Sequence, residues 1–265
     1  MRVWALPLAL LALVACVTES AAHRLAARPP AIVPMRAAHV DPDRLAKRLA
    51  AIQPGWPRTR SFDCGRIKCV ALTFDDGPGE HTGRLLDMLR RRGVLATFFV
   101  LGQMVAADHG PHLARRIVHE GHEIGNHSWS HPALTGLSDD GVRRELRRTS
   151  ELVRRLTGVR MRLMRPPYGA TDPHVARETR REGLAQILWN VDTLDWRDRV
   201  PAIVARRAGK AKAGSIVLMH DIHGTTVQAV PRLLDTLSRR GFTFVTVSEL
   251  YGRPPVPGRE YTERR

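Results

Sequence analysis

Short apolar runs alternate with amphipathic stretches along the chain from about residue 68 onward. Val70-Ala71-Leu72-Thr73-Phe74 has no polar alternation and reads as a strand covered on both faces. Similar runs at Ala96–Leu101, His122–Gly125, Met161–Met164, Gln186–Trp189, Ser215–Met219 and Phe242–Val245 bring the expected strands to seven. Between them the period lengthens to that of a helix. Helices are expected over Thr82–Arg92 with Gly93 as the stop, His112–His119 with Gly121 beyond it, Pro173–Glu182, Pro201–Ala208 and Thr226–Arg239. The longest starts at a Ser138-Asp139-Asp140 cap and runs to Leu156, with Gly158 after it. Its apolar stripe is Val142, Leu146, Leu152, Val153 and Leu156, and the opposite face carries Arg143, Arg144, Arg147, Arg148, Arg154 and Arg155. Strands alternating with helices imply a parallel sheet covered by helices, and periodicity alone does not decide between a closed barrel and an open sheet.

The flanks break this pattern. Arg2 precedes an apolar run from Val3 to Val17 interrupted by Pro7, too short to span a bilayer but suited to an export leader. Residues 1–22 are therefore read as a leader, with two ways of processing. Leu13-Val14-Ala15-Cys16 is similar to a bacterial lipoprotein box, which would leave Cys16 lipidated; the small residues Ser20-Ala21-Ala22 would also suit ordinary cleavage. The first is preferred. Residues 23–60, rich in Ala, Arg and Pro, are expected to be a linker, with a short helix over Asp43–Ile52 ended by Pro54-Gly55-Trp56-Pro57. Residues 253–265 are expected to be a tail, leaving residues 61–252 as one catalytic domain. With Cys16 set aside, Cys64 and Cys69 remain, and in an exported protein such a close pair is expected to be a disulfide.

Composition adds one anomaly. The 265 residues carry a formal charge of +16, and of 42 basic residues only Lys47, Lys68, Lys210 and Lys212 are lysine. Such a field could attract nucleic acid, an anionic membrane or an acidic wall polymer. Arginines spread over solvated helix faces account for it more simply, and a leader argues against a nucleic-acid role.

The chemistry gathers at strand ends. Asp75 and Asp76 follow the first strand, His127 the third, Arg165 the fourth, Asp192 and Asp195 the fifth, and His220 the sixth. Titratable residues at the C-terminal ends of parallel strands mark the active-site face of an α/β fold. His127-Ser128-Trp129-Ser130-His131 spaces two imidazoles four apart, with Pro132 favouring a turn. Two histidines and a carboxylate make a three-ligand site with open positions, as catalytic metal sites require. His109, His112, His119, His122 and His223 fit no such pattern and are expected at the surface.

Five motifs, Thr73-Phe74-Asp75-Asp76-Gly77-Pro78, His127–His131, Arg165-Pro166-Pro167-Tyr168, Asp192-Thr193-Leu194-Asp195-Trp196 and Leu218-Met219-His220, resemble in order those of polysaccharide deacetylases, the NodB-homology group or carbohydrate esterase family 4. The resemblance covers about Lys68 to Tyr251 and implies a distorted (β/α) barrel of about seven parallel strands. It implies one divalent metal, zinc by preference, on Asp76, His127 and His131. Asp75 would be the general base, oriented by Arg165. The backbone N–H of Tyr168 would stabilise the oxyanion. His220, held by Asp195, would be the general acid, and Trp196 and Leu218 would wall the acetyl pocket. The expected partner is an acetylated polysaccharide, peptidoglycan or chitin-like, reached from outside the membrane. Contact with the membrane itself would come only through a lipid anchor.

Overall fold

The computed structural model of the chain describes residues 60–265. The leader, Cys16 and the short helix expected over Asp43–Ile52 lie outside the described residues, as does the linker up to residue 59. The described strands are β1 (Cys69–Asp75), β2 (Thr97–Val100), β3 (Glu123–Asn126), β4 (Leu163–Met164), β5 (Ala185–Ile187), β6 (Val191–Asp192), β7 (Ser215–His220), β8 (Thr243–Val245) and β9 (Glu260–Tyr261). The helices are α1 (Thr82–Arg91), α2 (Gly102–Ala106), α3 (Gly110–His119), α4 (Asp139–Thr157), α5 (Pro173–Arg181), α6 (Asp195–Asp198), α7 (Pro201–Ala208), α8 (Gly224–Arg239) and α9 (Val247–Tyr251). All seven expected strands form, to within a few residues at their ends.

The strands make one sheet in the order β6-β7-β1-β2-β3-β4-β5-β9, and every ladder in it is parallel. β1 sits at the centre. One edge pairs with β7 from Val70 to Asp75; the other is shared, with β8 beside Cys69–Ala71 and β2 beside Thr73–Asp75. The arrangement is the distorted barrel that the motifs implied.

Two departures explain how it closes. β6 is a two-residue strand laid against β7, and β9 pairs with β5. Beyond β9, Glu263 bridges to Ser215 and the Arg264 N–H donates to the Gly214 carbonyl at 2.9 Å. Residues 253–265, expected as a tail, thus supply a strand that joins β5 to the start of β7. Their three prolines and charged residues hide the pairing, because the short strand lies in no apolar run.

Side chains alternate across the barrel wall, as a pleated strand requires. From β1, Val70, Leu72 and Phe74 point outward into the layer packed under the helices, which includes Leu85, Leu89, Ile117, Leu146 and Val230. Cys69 and Ala71 point inward, joining Phe99, Leu163, Ile187, Ile216 and Val245 in a second apolar layer inside the barrel. Cys64 and Cys69 are joined by a disulfide, with Cα atoms 5.4 Å apart. α4 forms as its sequence signals require. Ser138 Oγ accepts from the Gly141 N–H at 3.2 Å, Asp139 and Asp140 occupy the positive first turn, and Gly158 ends the helix at φ 75°. Val142, Leu146 and Val153 are fully buried, each worth about 1.5–3 kcal/mol. Most of its arginine face is solvated; Arg143 and Arg147 reach Glu178 and Glu182 at 2.7 and 2.8 Å, and Arg148 lies over the Trp129 ring.

Candidate active site

The same alternation carries the inward face of each strand upward into polar residues. On β1, Thr73 and Asp75 follow Cys69 and Ala71; on β7, Leu218 and His220 follow Ile216. Arg165 sits one residue past β4 and is fully buried inside the barrel. Burying a guanidinium costs several kcal/mol unless its donors are satisfied. Here Nε donates to the Ile187 carbonyl at 2.9 Å, Nη2 to the Leu188 carbonyl at 3.0 Å, and Nη1 to Thr73 Oγ1 and Asp75 Oδ1, both at 2.7 Å. The plane also stacks 4.4 Å from the Phe99 ring centre. Arg165 therefore forms a rigid floor that fixes one oxygen of Asp75 and leaves Oδ2 facing the cleft.

Above this floor Asp76, His127 and His131 converge. His127 Nε2 is 3.3 Å and His131 Nε2 is 3.5 Å from Asp76 Oδ1. That oxygen is buried, and no hydrogen-bond donor reaches it. His127 Nδ1 lies 2.7 Å from the Arg165 carbonyl, which can only accept, so Nδ1 carries a proton and Nε2 is the atom turned toward Asp76. Burial alone would raise the Asp76 pKa, but the His127 contact and the three surrounding imidazoles hold it at about 2. Burial also lowers the His131 pKa, favouring the neutral ring. Ligands about 2.0–2.2 Å from a tetrahedral ion stand roughly 3.3–3.5 Å apart, so an unpartnered carboxylate oxygen between two imidazole nitrogens fits a divalent ion. Each of the three residues can offer a ligand atom within 4.8 Å of the others.

On the opposite wall, Asp195 is fully buried and accepts from His220 Nδ1 at 2.8 Å, the His220 N–H at 2.7 Å, Thr226 Oγ1 at 2.7 Å and the Trp196 N–H at 3.0 Å. Burial works against protonation of His220, but Asp195 first and then Asp75 and Asp76 lift its pKa to about 9. Its Nε2 points into the cleft, 4.0 Å from Asp76 Oδ2.

The cleft holds about 480 Å³ and is lined by Asp75, Asp76, His127, His131, Tyr168, Trp196, Leu218 and His220, together with Pro166, Trp189 and Asp192. Every residue expected at the site is thus brought together. Leu218 is buried in the wall, Trp196 stands half-exposed on the rim, and Tyr168, at φ 61° in the Pro167–Gly169 turn, packs its ring edge-on against His131 at 4.5 Å.

Three residues escaped the sequence reading. Asp221 is buried beside the Asp75-Asp76-Gly77 turn, held by Thr82 Oγ1, and burial raises its pKa to about 7. A Cβ at Gly77 would come within 2.5 Å of Asp221 Oδ1, so only glycine fits there. Glu145 on α4 binds the His127–His131 loop. His122, expected at the surface, is buried and accepts the Ala96 N–H at 3.2 Å, because its place just ahead of β3 turns the ring inward.

Known proteins give the same picture. A family model for polysaccharide deacetylases matches residues 63–187. The chain is 45% identical over 199 residues to the peptidoglycan-N-acetylglucosamine deacetylase PgdA of Listeria monocytogenes, a match covering 74% of this chain and 42% of that protein. It is 36% identical over 210 residues to a chitin deacetylase of Colletotrichum lindemuthianum, covering 74% of this chain and 85% of that one. A solved structure, T48 deacetylase with substrate, superposes with a TM-score of 0.72 at 45% identity, over 76% of this chain and all of that one.

Proposed function

From the chain's membership of the polysaccharide deacetylase family, to which it belongs by sequence and by fold, we propose that it removes N-acetyl groups from a cell-wall polysaccharide, releasing acetate. The observation that supports it most is the unpartnered Asp76 oxygen facing two imidazole nitrogens, beside a carboxylate and a histidine that are not needed as ligands.

In this reading Asp76, His127 and His131 hold a divalent ion, zinc by preference. Bound there, the ion would acidify a water and polarise the acetyl carbonyl. Asp75 Oδ2 takes a proton as the water oxygen bonds to the carbonyl carbon. Arg165 keeps that carboxylate turned toward the cleft. The Tyr168 N–H donates to the oxygen that gains charge. The carbon–nitrogen bond then breaks as His220 Nε2 passes its proton to the nitrogen, which is a poor leaving group without it. Asp195 holds the ring in the tautomer with Nδ1–H inward and stabilises the protonated form. Trp196 and Leu218 enclose the methyl group.

Peptidoglycan N-acetylglucosamine is the proposed substrate, supported by the 45% identity to PgdA. Chitin oligomers or acetylated xylan are the alternative, supported for chitin by the Colletotrichum relative. A polysaccharide binder without activity would not need both a filled three-ligand site and the His220–Asp195 pair. The proposal also has the chain exported, with residues 1–22 as leader and Cys16 as the lipid anchor. It places residues 61–252 as the catalytic domain. Acetate release should be measured on purified peptidoglycan, chitin oligomers and acetylated xylan with metal-loaded protein. Release from peptidoglycan is expected first; no release from any of the three would refute the activity.

A further inference from the structure

Two histidines four residues apart ordinarily meet on one helix face, but His127–His131 is not helical. Ser128 and His131 have φ values of 70° and 64°, in the left-handed region that side chains other than glycine avoid. Something outside the loop must hold it in this shape.

The hydrogen bonds of the loop identify the holders. The His127 N–H donates to the Val100 carbonyl at 3.0 Å, and the Ser128 N–H to Asn126 Oδ1 at 2.8 Å. The Trp129 and Ser130 N–H groups both donate to Glu145 Oε2 at 2.8 Å, and Ser130 Oγ donates to Glu145 Oε1 at 3.1 Å. The His131 N–H donates to Ser128 Oγ at 3.0 Å. All five amides are therefore used, and the only charged acceptor among them is Glu145. The loop's carbonyl side is tied as well: Ser128 accepts from Gly102 N–H and Thr149 Oγ1, and Trp129 from Gln103 N–H. The ring of Trp129 is clamped between Gly102, where a Cβ would come within 2.3 Å of it, and the Arg148 guanidinium at 3.7 Å.

The two histidines are not held equally. His127 is fixed by its own ring contact with the Arg165 carbonyl and is buried. His131 is a quarter exposed, and its backbone is set by the turn that Glu145 closes. We propose that Glu145, in the second turn of α4, is a positioning residue that shapes the 128–130 turn and so brings His131 to the ion. The inference rests on the metal reading of Asp76, His127 and His131. Glu145 touches neither the ion nor the substrate on this assignment; it acts through the two amides. Removing it leaves two adjacent N–H groups without an acceptor and releases the left-handed residues beside them.

The test is metal affinity, measured by competition with a chromophoric chelator, beside thermal unfolding of the metal-free protein. Glu145→Ala is expected to weaken metal binding about 10–100-fold, as changes to groups supporting a ligand do. Glu145→Gln keeps an oxygen for both amides and is expected to restore affinity to within about threefold of wild type. Because Glu145 acts through His131, Glu145→Ala added to His131→Ala should weaken binding no further than His131→Ala alone. Glu151→Ala, on an exposed position of the same helix, is the control and should bind like wild type. Should Glu145→Ala not fold, the Gln variant and the unfolding midpoint of Ser130→Ala carry the comparison: Ser130→Ala removes one donor to the same carboxylate and should weaken binding slightly. Wild-type affinity in folded Glu145→Ala, or losses that add in the double variant, would overturn the role of Glu145. A wild-type protein that binds no divalent ion would instead overturn the metal reading beneath it.

Discussion

Each end of the barrel interior holds a buried carboxylate, Asp75 at the C-terminal ends of the strands and Glu123 at the N-terminal ends, and both strands that carry them flank β2. Asp75 shares a guanidinium with the floor of an open cleft and presents its second oxygen toward His127 Nε2, 3.7 Å away. Glu123 accepts from hydroxyls and an amide: Thr97 Oγ1 at 3.0 Å, the Ser248 N–H at 3.1 Å and Ser248 Oγ. Burial, the largest influence on it, raises its pKa. The same functional group thus faces an open cleft beside an arginine at one end and is sealed among hydroxyls at the other. Partner and access, rather than the residue type, decide which carboxylate does chemistry.

The largest contrast should come from disabling each end in turn. Asp75→Asn keeps the shape and the Arg165 contact on one oxygen but removes the proton acceptor, and kcat is expected to fall about 10²–10⁴-fold with metal content unchanged. Glu123→Ala should do the reverse. It strands three donors and is expected to cost about 1–3 kcal/mol of stability while kcat per folded molecule holds. Metal analysis, denaturant unfolding and kcat on both variants would check this; loss of metal in Asp75→Asn would break the distinction between base and ligand.

A smaller effect should appear in the pH profile. On the proposed mechanism the basic limb would mark loss of the His220 proton, and Asp195 is the main group raising that pKa. Asp195→Asn removes the negative charge, so the ring gives up its proton more easily and the limb should move about one unit or more toward lower pH. The comparison is kcat against pH for the two proteins at equal metal loading; a limb that stays in place would remove His220 from the acid's role.

The smallest effect is expected from Glu123→Gln. A folded pKa raised above the unfolded value gives stability that is full below the unfolded carboxylate value and is lost as pH rises through the folded one. Glutamine stays neutral throughout, so the variant should lose less stability than wild type on going from acid to neutral pH. Thermal midpoints across that range would show it, and parallel curves would mean Glu123 is ionised without consequence.

How much of this was legible in the sequence depended on length and on chemistry. α4 could be read because Ser138, Gly158 and an apolar stripe each carry a local cause. The strand-end residues could be read because parallel strands deliver them to one face. β6 and β9 could not, since these two-residue strands lie outside any apolar run, unlike the two-residue β4 within Met161–Met164. Glu145 could not be read, because the two amides it binds lie 15 and 16 residues away and no spacing rule connects them to it. Asp221 was hidden beside His220, and only the fold shows that it is sealed against Gly77.

The way β9 completes the wall bears on how the chain reaches its native state. From β1 to β5 each strand joins its neighbour in sequence, so this part of the sheet can grow as a series of local steps. The β7 ladder and the last segment cannot: Thr73 bonds Val217 across 144 positions, and Asn190 bonds Glu263 across 73. Closing such long loops loses chain entropy before contacts repay it, which slows folding. Until residues 260–264 arrive, β5 and the start of β7 present open edges that another chain could pair with. The rate-limiting hazard for this protein therefore lies in a seam far from its chemistry.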